Sequence, residues 1–289
     1  MHILVKLLRI CWIPEYRDSF LRTRVAASTE HDHVLSGLPV ETVVDIGANR
    51  GQFAWCARRL FPKARIFSFE PLQIPAAVYR RVFVKDPNVR LFNVAIASES
   101  GTASMHVSRW DDSSSLLPIA AAQNEHFPFT QESGRETVAT ARLADCLGAA
   151  EITGTALLKI DVQGFELVAL KGCEPLMSRF KYVCAEASFI ELYVGQALAG
   201  EVVAPVNATA TPSFSRVTTT NQTRYPTICR QTDSRIQVDV AANGMKRGRS
   251  ASARIPPNCV TPFLTRSWLA IVLIDTRMSR SLTNMRPIR

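Results

Sequence analysis

Acidic side chains and glycines gather at the ends of apolar segments in this sequence, which is where α/β proteins hold small ligands. The first instance is VVDIGANRGQF, residues 43–53, in which Asp45 is followed by Gly47 and Gly51. The two glycines permit a tight turn and let a ligand approach the backbone closely. We expect Asp45 to lie in the mouth of this loop, where its carboxylate would repel phosphate and attract a cation or an ammonium group.

The spacing of the loop argues against a ligand that carries phosphates. A dinucleotide site requires G-x-G-x-x-G, whereas this loop has the pattern D-x-G-x-x-x-G. No Lys-Ser or Lys-Thr pair follows Gly51, so the loop is not a P-loop. S-adenosyl-L-methionine carries a sulfonium and an ammonium group but no phosphate, and we expect it as the cofactor.

A second acid lies where the ribose of such a cofactor would be held. Residues 65–70 are predicted to form the next strand, which ends in Glu70 and is stopped by Pro71. Glu70 follows the glycine loop by about twenty residues, the spacing at which an acid accepts both hydroxyls of an adenosine ribose. The alternative is that Glu70 is a solvated strand end without a ligand.

The third cluster is LLKIDVQGFELVALKG, residues 157–172. Its apolar start predicts a strand with Asp161 at the carboxyl end, and Gln163 and Gly164 form the turn into a helix. Asp161 could bind the ammonium group of the cofactor, hold a divalent cation or act as a general base on a substrate hydroxyl. Lys159 points to the same face of the strand, and because a buried lysine needs a partner we predict that it pairs with Asp161. The alternative is a purely structural ion pair.

The segments that must position these residues alternate between strand and helix patterns. Strands are predicted at residues 42–46, 65–70, 90–95, 102–107, 156–161 and 181–187. Helices are predicted at residues 51–61, 73–82, 141–148 and 164–171. This alternation is typical of a Rossmann-like α/β fold, a mostly parallel sheet with helices on both faces, in which the three acids converge on one crevice. Residues 108–135 resemble a long polar loop.

Composition limits the classes of partner. Of the 289 residues, 47% are hydrophobic and 20% are charged, as in globular proteins. The seven cysteines form no C-x-x-C pair, so we predict reduced thiols, a cytoplasmic location and no zinc site. The formal net charge is +9, but residues 205–289 hold 13 of the 34 basic residues and only 3 of the 25 acidic ones. Because the basic excess belongs to this segment alone, we predict no nucleic-acid partner.

Taken together, the motifs resemble those of the FkbM family of methyltransferases. The matching residues follow the family's order between about residues 35 and 204: Asp45-x-Gly47-Ala48-Asn49-x-Gly51, Phe69-Glu70-Pro71, Asn93-x-Ala95, Ser113-Ser114-Ser115-Leu116, Lys159-Ile160-Asp161-Val162-Gln163-Gly164-x-Glu166 and Glu186. The resemblance implies a seven-stranded class I methyltransferase fold that uses S-adenosylmethionine to O-methylate hydroxyls of sugars or polyketides. It further implies these positions: Asp45, Gly47, Asn49 and Gly51 in the cofactor loop, Glu70 at the ribose, Asn93 near the adenine and Asp161 near the methyl-transfer site.

Methyl transfer to a hydroxyl requires alignment of the hydroxyl, the methyl group and sulfur, together with a base that removes the proton. Asp161 is the first candidate for this base and Glu186 the second, with Lys159 as the catalytic partner of Asp161. His126 in the polar loop is the third candidate. His31 and His33 precede the first strand and are predicted to be solvated surface residues. We predict no metal site.

The predicted function is O-methylation of a sugar, a glycolipid or a polyketide-type metabolite. An NAD-dependent oxidoreductase or epimerase on a similar sheet is an alternative, and the missing third glycine and Asn49 argue against it. A non-catalytic relic of the fold is another alternative, favoured by an atypical C-terminus and opposed by the three acids in one crevice.

Three segments are predicted along the chain. Residues 1–36 form an N-terminal helical segment that packs on the core or contacts a membrane surface, and residues 37–204 form the methyltransferase domain. Residues 205–289 show neither strand nor helix periodicity, and the apolar run from Trp268 to Ile274 stands alone. We expect a poorly ordered basic tail, or a reading-frame shift near residue 204, and a missing C-terminal hairpin.

Overall fold

The computed structural model describes residue 8 and residues 10–209, 215–219, 227–232, 235–240 and 269–275, with side chains described for residues 8, 10–204 and 273. Before the first strand lie helix α1 (Pro14–Thr23), a 3-10 turn (Thr29–His31) and helix α2 (Asp32–Leu35). The hydroxyl of Tyr16 in α1 is buried and donates to Asp32 at 2.5 Å. This hydrogen bond joins α1 to α2.

Strands and helices alternate from residue 42 onward. The strands are β1 (Thr42–Ile46), β2 (Arg65–Phe69), β3 (Val89–Phe92), β4 (Ala95–Ile96), β5 (Gly101–Ser108), β6 (Glu132–Ala141), β7 (Ala156–Ile160), β8 (Phe180–Ser188), β9 (Ser215–Thr219), β10 (Thr227–Thr232), β11 (Arg235–Val240) and β12 (Leu269–Asp275). The helices are α3 (Gln52–Leu60), α4 (Gln73–Val82), α5 (Ala121–His126), α6 (Leu143–Cys146), α7 (Glu166–Cys173) and α8 (Ala199–Thr209). Further 3-10 turns span Asp111–Ser113, Ala149–Glu151 and Glu174–Arg179.

A seven-stranded sheet forms the centre of the molecule, with the strand order β3-β2-β1-β7-β8-β12-β9. Within this sheet, β3, β2, β1, β7 and β8 run parallel to one another. Strand β12 runs antiparallel to both β8 and β9. Val44 and Ile46 of β1 pack in the core layer that contains Ala169 of α7, whereas Val43 packs in the layer that contains Phe53 of α3. The predicted mostly parallel sheet with helices on both faces is confirmed.

The predicted polar loop at residues 108–135 is partly regular structure, so that prediction is wrong in detail. It contains α5 and the beginning of β6, and β6 pairs antiparallel with β5 and parallel with β4 in a second sheet. Most of β6 is exposed, so its sequence lacks the apolar alternation that marks a half-buried strand. The strand predicted at residues 90–95 is divided into β3 and β4, and the helix predicted at residues 141–148 is the shorter α6.

The expectation of a missing C-terminal hairpin is also wrong. The apolar run that begins at Trp268 contains β12, which lies between β8 and β9 and is antiparallel to each of them. Leu273 of β12 is buried in the same hydrophobic cluster as Phe53 of α3. An apolar run appears isolated in the sequence because its partner β8 is distant along the chain. The described residues of the predicted tail form the end of α8 and strands β9, β10, β11 and β12. The other residues of the tail lie outside the described residues, and its poor order and the frameshift stay hypotheses.

In the part of the chain that the structure describes, we find no helix that has both the length and the apolar character needed to cross a membrane.

Candidate functional site

The loop after β1 has a backbone conformation and a contact that require glycine at its first position. Gly47 has φ +79°, and a Cβ added there would lie 1.8 Å from the carbonyl oxygen of Asp161. The N–H groups of Gly47 and Ala48 both donate to the carbonyl of Phe69, each at 3.0 Å. The loop is therefore pressed against the carboxyl ends of β7 and β2, and its other side lines a cavity.

Gly51 and Asn49 shape the rest of this loop. Gly51 has φ +96° and immediately precedes α3, and a Cβ there would lie 2.6 Å from Cε2 of Phe83. Asn49 has φ +45°, a left-handed conformation that asparagine adopts more readily than most residues. Its Oδ1 accepts a hydrogen bond from the N–H of Arg50 at 2.7 Å. The spacing of glycine and asparagine in the sequence thus has a local steric reason.

Glu70 lies directly after β2, and its carboxylate faces the same loop. Its Oε2 accepts from the N–H of Asn49 and its Oε1 from the N–H of Leu72, both at 2.8 Å. Burial raises the pKa of Glu70 to about 7, although these two N–H groups favour the ionised form. Glu70 is buried and lines the cavity, so the alternative of a solvated strand end is wrong.

Asn93 supports the turn that carries Glu70. Its side-chain amide donates to the carbonyl oxygens of Glu70 at 2.7 Å and Pro71 at 2.8 Å. The next residues, Val94 and Ala95, line the cavity, and Asn93 does not. The structure therefore shows Asn93 fixing the position of Glu70, while contact between Asn93 and an adenine stays a prediction.

Asp45 lies beneath the loop and not in its mouth, so the predicted position of this side chain is wrong. Its side chain is 0% exposed, and Ile46 and Gly47 line the cavity in its place. Side chains alternate along β1, which turns Asp45 into the layer beneath α3. Burial raises the pKa of Asp45, and the ammonium group of Lys159, 3.1 Å from Oδ1, opposes that shift.

Lys159 is shared among three oxygen atoms at the ends of β1 and β7. Its Nζ donates to the carbonyl of Gly47 at 3.0 Å and lies 3.1 Å from Oδ1 of Asp45 and 3.6 Å from Oδ2 of Asp161. The predicted pairing with Asp161 is therefore present, but Asp45 is the nearer partner. Burial disfavours the ammonium group, yet the two carboxylates outweigh burial and raise the pKa of Lys159. The lysine stays charged and joins the two strands to the glycine loop.

Asp161 and Glu186 form an acid pair that faces the cavity. The side chain of Asp161 is 31% exposed, and the Nε2 of Gln163 donates to both acids, at 2.8 Å to Oδ1 of Asp161 and 3.1 Å to Oε2 of Glu186. Burial acts against ionisation of Asp161, but Lys159 prevails and lowers its pKa. Burial and the charge of Asp161 raise the pKa of Glu186 well above its usual range. The two acids therefore titrate as a coupled pair, in which Asp161 loses its proton more readily than Glu186.

Gln163 is held in place by residues that the sequence analysis missed or left without a role. The hydroxyl of Tyr193 lies 2.8 Å from Oε1 of Gln163 and 3.0 Å from the carbonyl of Ser113. The hydroxyl of Ser115 donates to the carbonyl of Gln163 at 2.6 Å. The serines belong to a motif that was noted in the sequence, whereas no local pattern marks Tyr193, because the fold alone brings it to this site.

The cavity that these residues line has a volume of about 300 Å³, which is within the range of small-molecule sites. The segments after β5 and after β8 form its outer wall. They are joined by backbone hydrogen bonds from Ala120 to Leu192 at 3.0 Å and from Val194 to Pro118 at 2.8 Å. The side chains of this outer wall are Leu116, Gln123, Phe127, Ser188, Leu192 and Gln196.

The histidines differ from expectation at one position. His31 is only 8% exposed and lines the cavity, so its prediction as a solvated surface residue is wrong. The 3-10 turn before α2 folds it inward against α3, and nothing in a single sequence shows that turn. His33 is exposed. His126 in α5 is also exposed and does not line the cavity, so the structure does not place it beside Asp161.

The described residues contain no group of three or more histidine, cysteine or acidic side chains that could hold a metal ion.

Comparison with known proteins identifies the family. A family model described as the methyltransferase FkbM domain matches residues 45–215, which is more than half of the chain. The chain belongs to the FkbM methyltransferase family. The resemblance seen in the sequence is thereby confirmed, and with it S-adenosylmethionine as the cofactor and methyl transfer as the activity. These findings disfavour the NAD-dependent alternative.

Relatives of this FkbM-family chain include proteins with assigned reactions. It is 31% identical over 185 residues to the 2-O-methyltransferase NoeI of Sinorhizobium fredii, a match that covers 61% of this chain and 76% of that protein. It is 29% identical over 187 residues to the 31-O-demethyl-FK506 methyltransferase FkbM of Streptomyces tacrolimicus, covering 56% of this chain and 70% of that protein. Among solved structures, a SAM-dependent O-methyltransferase from Thermotoga maritima has a TM-score of 0.38 and 8% identity, covering 89% of this chain and 69% of that chain.

Proposed function

We propose that this FkbM-family enzyme transfers the methyl group of S-adenosylmethionine to a hydroxyl oxygen of a sugar, a glycolipid or a polyketide-type metabolite. The observation that carries the proposal is the acid pair of Asp161 and Glu186, which faces the cavity next to the glycine loop. Oxygen as the accepting atom is also supported by the names of the relatives, which describe a 2-O-methyltransferase and the methyltransferase of 31-O-demethyl-FK506.

The residues around the cavity fit this cofactor. Glu70 accepts one hydrogen bond from Asn49 in the loop and one from Leu72 after β2, and each carboxylate oxygen keeps a lone pair, as binding of two ribose hydroxyls requires. A Cβ at Gly47 would displace the loop from β7, so glycine lets the loop lie against β7 while its other side lines the cavity. We therefore assign Gly47, Asn49, Gly51 and Glu70 to the cofactor site, with Asp45 and Asn93 supporting it from beneath.

The chemistry assigned to the protein is proton removal and alignment. When bound, S-adenosylmethionine supplies an activated methyl group. Asp161, whose pKa is lowered by Lys159, would accept the proton of the acceptor hydroxyl as that oxygen takes the methyl group. Glu186, whose pKa is raised, retains its proton more readily than Asp161, and Gln163 fixes the orientation of both acids.

The outer wall of the cavity supports this acceptor class, because it mixes Leu116, Phe127 and Leu192 with the amides of Gln123 and Gln196. Such a wall suits a ligand that has both apolar surface and hydroxyl groups. Contact with a membrane, which would favour a glycolipid, stays a prediction that the exposed Trp12 supports.

The test is methyl transfer from isotopically labelled S-adenosylmethionine to three acceptors: a methyl glycoside, a glycolipid and a hydroxylated macrolide. We expect label in one of them and none in the matched compound that lacks the hydroxyl. Asp161→Asn should lower kcat by about 10²- to 10⁴-fold, the usual contribution of a general base, and should keep affinity for S-adenosylhomocysteine. Asp18→Asn, at an exposed position in α1, is the control and should leave kcat unchanged. An unchanged kcat in Asp161→Asn would remove Asp161 from the mechanism.

A further inference from the structure

His31 is a buried histidine that faces the cofactor cavity from outside the sequence region matched by the family model. It ends the 3-10 turn Thr29–His31, whereas the family match begins at residue 45. The ring is 8% exposed and contacts the ring of Phe53 edge-on, with a centroid distance of 4.9 Å. Gly47 and Asp161 line the same cavity. The N-terminal segment therefore contributes a side chain to the site.

The Nδ1 atom of this ring is buried and has no hydrogen-bond partner among the described residues. A buried polar atom without a partner is unfavourable, so its presence at a cavity wall points to a ligand atom as the partner. Burial lowers the pKa of His31, and the positive charge of Lys159 acts in the same direction, whereas Glu30, Asp161 and the backbone of Ser28 oppose it. A neutral ring presents one N–H donor and one acceptor.

The order of the strands indicates which end of the cofactor reaches His31. Glu70 follows β2, which lies between β3 and β1 in the sheet. Strand β7 lies next to β1 and ends immediately before Asp161. With the ribose at Glu70, the adenine would lie towards Leu72 and Ala95, which also line the cavity, and the amino-acid end would run across β1 towards Asp161. The ring of Phe53 contacts His31 and also lies 5.4 Å from the ammonium nitrogen of Lys159, which places His31 near that amino-acid end.

We propose that His31 binds the α-carboxylate of the methionyl part of S-adenosylmethionine through its Nδ1–H. Asp161 cannot take this role because two carboxylates repel each other. A neutral imidazole can be buried without the desolvation cost of a full charge. Its N–H can donate a hydrogen bond to a carboxylate oxygen. The inference rests on the proposed placement of the ribose at Glu70.

The experiment is calorimetric titration, without acceptor, of S-adenosylhomocysteine and of its decarboxylated analogue, which keeps the ammonium group and lacks only the carboxylate. His31→Ala should weaken S-adenosylhomocysteine binding by about 10- to 100-fold, the value of one hydrogen bond to a charged group, and should leave the analogue's affinity unchanged. His31→Gln retains an N–H donor and should recover part of the loss. His33→Ala is the matched control at an exposed position of the same segment and should bind both ligands normally.

Each other outcome overturns the inference. Equal loss of both ligands in His31→Ala, with a cooperative melt, would show that His31 shapes the site without contacting the carboxylate. Failure of both His31 variants to melt cooperatively would make His31 a structural residue. A Glu70→Gln variant that binds both ligands as tightly as the parent would remove the placement on which the inference rests. Because these are binding measurements, absence of methyl transfer to any hydroxyl would refute the proposed function and leave the His31 result standing.

Discussion

Removing the ammonium group of Lys159 tests the electrostatic centre of this site most directly. Lys159→Met keeps a side chain of similar length and removes the positive charge that lies 3.1 Å from Asp45, whose side chain is 0% exposed. It also leaves the carbonyl of Gly47 without the hydrogen bond that it accepts at 3.0 Å. The variant therefore isolates a buried carboxylate in an apolar layer.

The magnitude follows from the burial of both partners. Breaking a buried ion pair by removing one partner costs about 3–5 kcal/mol of unfolding free energy. Asp45 must then bind a proton in the folded state, because burial already raises its pKa and Lys159 no longer opposes that shift. An acid whose folded-state pKa is raised is stabilised below its unfolded pKa, and that stability is lost as pH rises through the folded value. The extra loss should grow by up to about 1.4 kcal/mol per pH unit.

The assay is urea unfolding followed by far-UV circular dichroism at pH 5, 6, 7 and 8, on the parent, Lys159→Met, Asp45→Leu and the double variant. The double variant replaces both charges by apolar groups, so the coupling energy should reach about 2 kcal/mol or more. Lys171→Met, at an exposed position in α7, is the control and should change stability by less than about 0.5 kcal/mol. A loss in Lys159→Met below about 1 kcal/mol without pH dependence, or strictly additive effects, would refute the reasoning.

Two further variants test the loop and the second buried acid. Gly47→Ala places a Cβ 1.8 Å from the carbonyl oxygen of Asp161 and should weaken S-adenosylhomocysteine binding by at least about 10-fold in calorimetry. Gly134→Ala is the control, because its Cβ would enter open space, and it should bind normally. Equal affinities of the two variants would contradict the predicted loop contact. Burial raises the pKa of Glu166 from 4.5 to about 7, so the stability linked to its proton is present below pH 4.5 and lost as pH rises through 7. Glu166→Gln stays neutral and should be more stable than the parent at pH 8 by up to about 3 kcal/mol in urea unfolding, while an unchanged pH slope would exclude Glu166 as the source.

The sequence correctly predicts that an acid reaches the cavity where a turn residue marks the end of the strand before it. Pro71 marks the end of β2, and Gln163-Gly164 marks the turn after β7, so Glu70 and Asp161 reach the cavity as expected. Asp45 has no such marker, because Ile46 extends β1 by one residue and side chains alternate along a strand. A difference of one residue turns a predicted ligand-binding acid into a buried partner of Lys159.

The features that were not predicted depend on contacts between distant parts of the chain. Strand β6 is mostly exposed and pairs with β5, so its polar sequence resembles a loop. Strand β12 is apolar, but its place between β8 and β9 depends on strands that lie far away in the sequence. His31 faces the cavity only because the 3-10 turn packs against α3. Local patterns carry no signal for such placements.

Lys159 forms an ion pair with the buried Asp45 and also lowers the pKa of Asp161, the acid that faces the cavity. Lys159 contacts Asp45 and Asp161, and Asp161 shares its proton equilibrium with Glu186. Since the ammonium group lowers the pKa of Asp161, its removal favours a protonated Asp161, which can no longer accept a proton from a hydroxyl. The stability of the β1–β7 junction and the proposed proton acceptance therefore depend on one charge. In Lys159→Met the pH at which methyl transfer reaches half of its maximum should move upward, even where denaturant data show that the variant is folded.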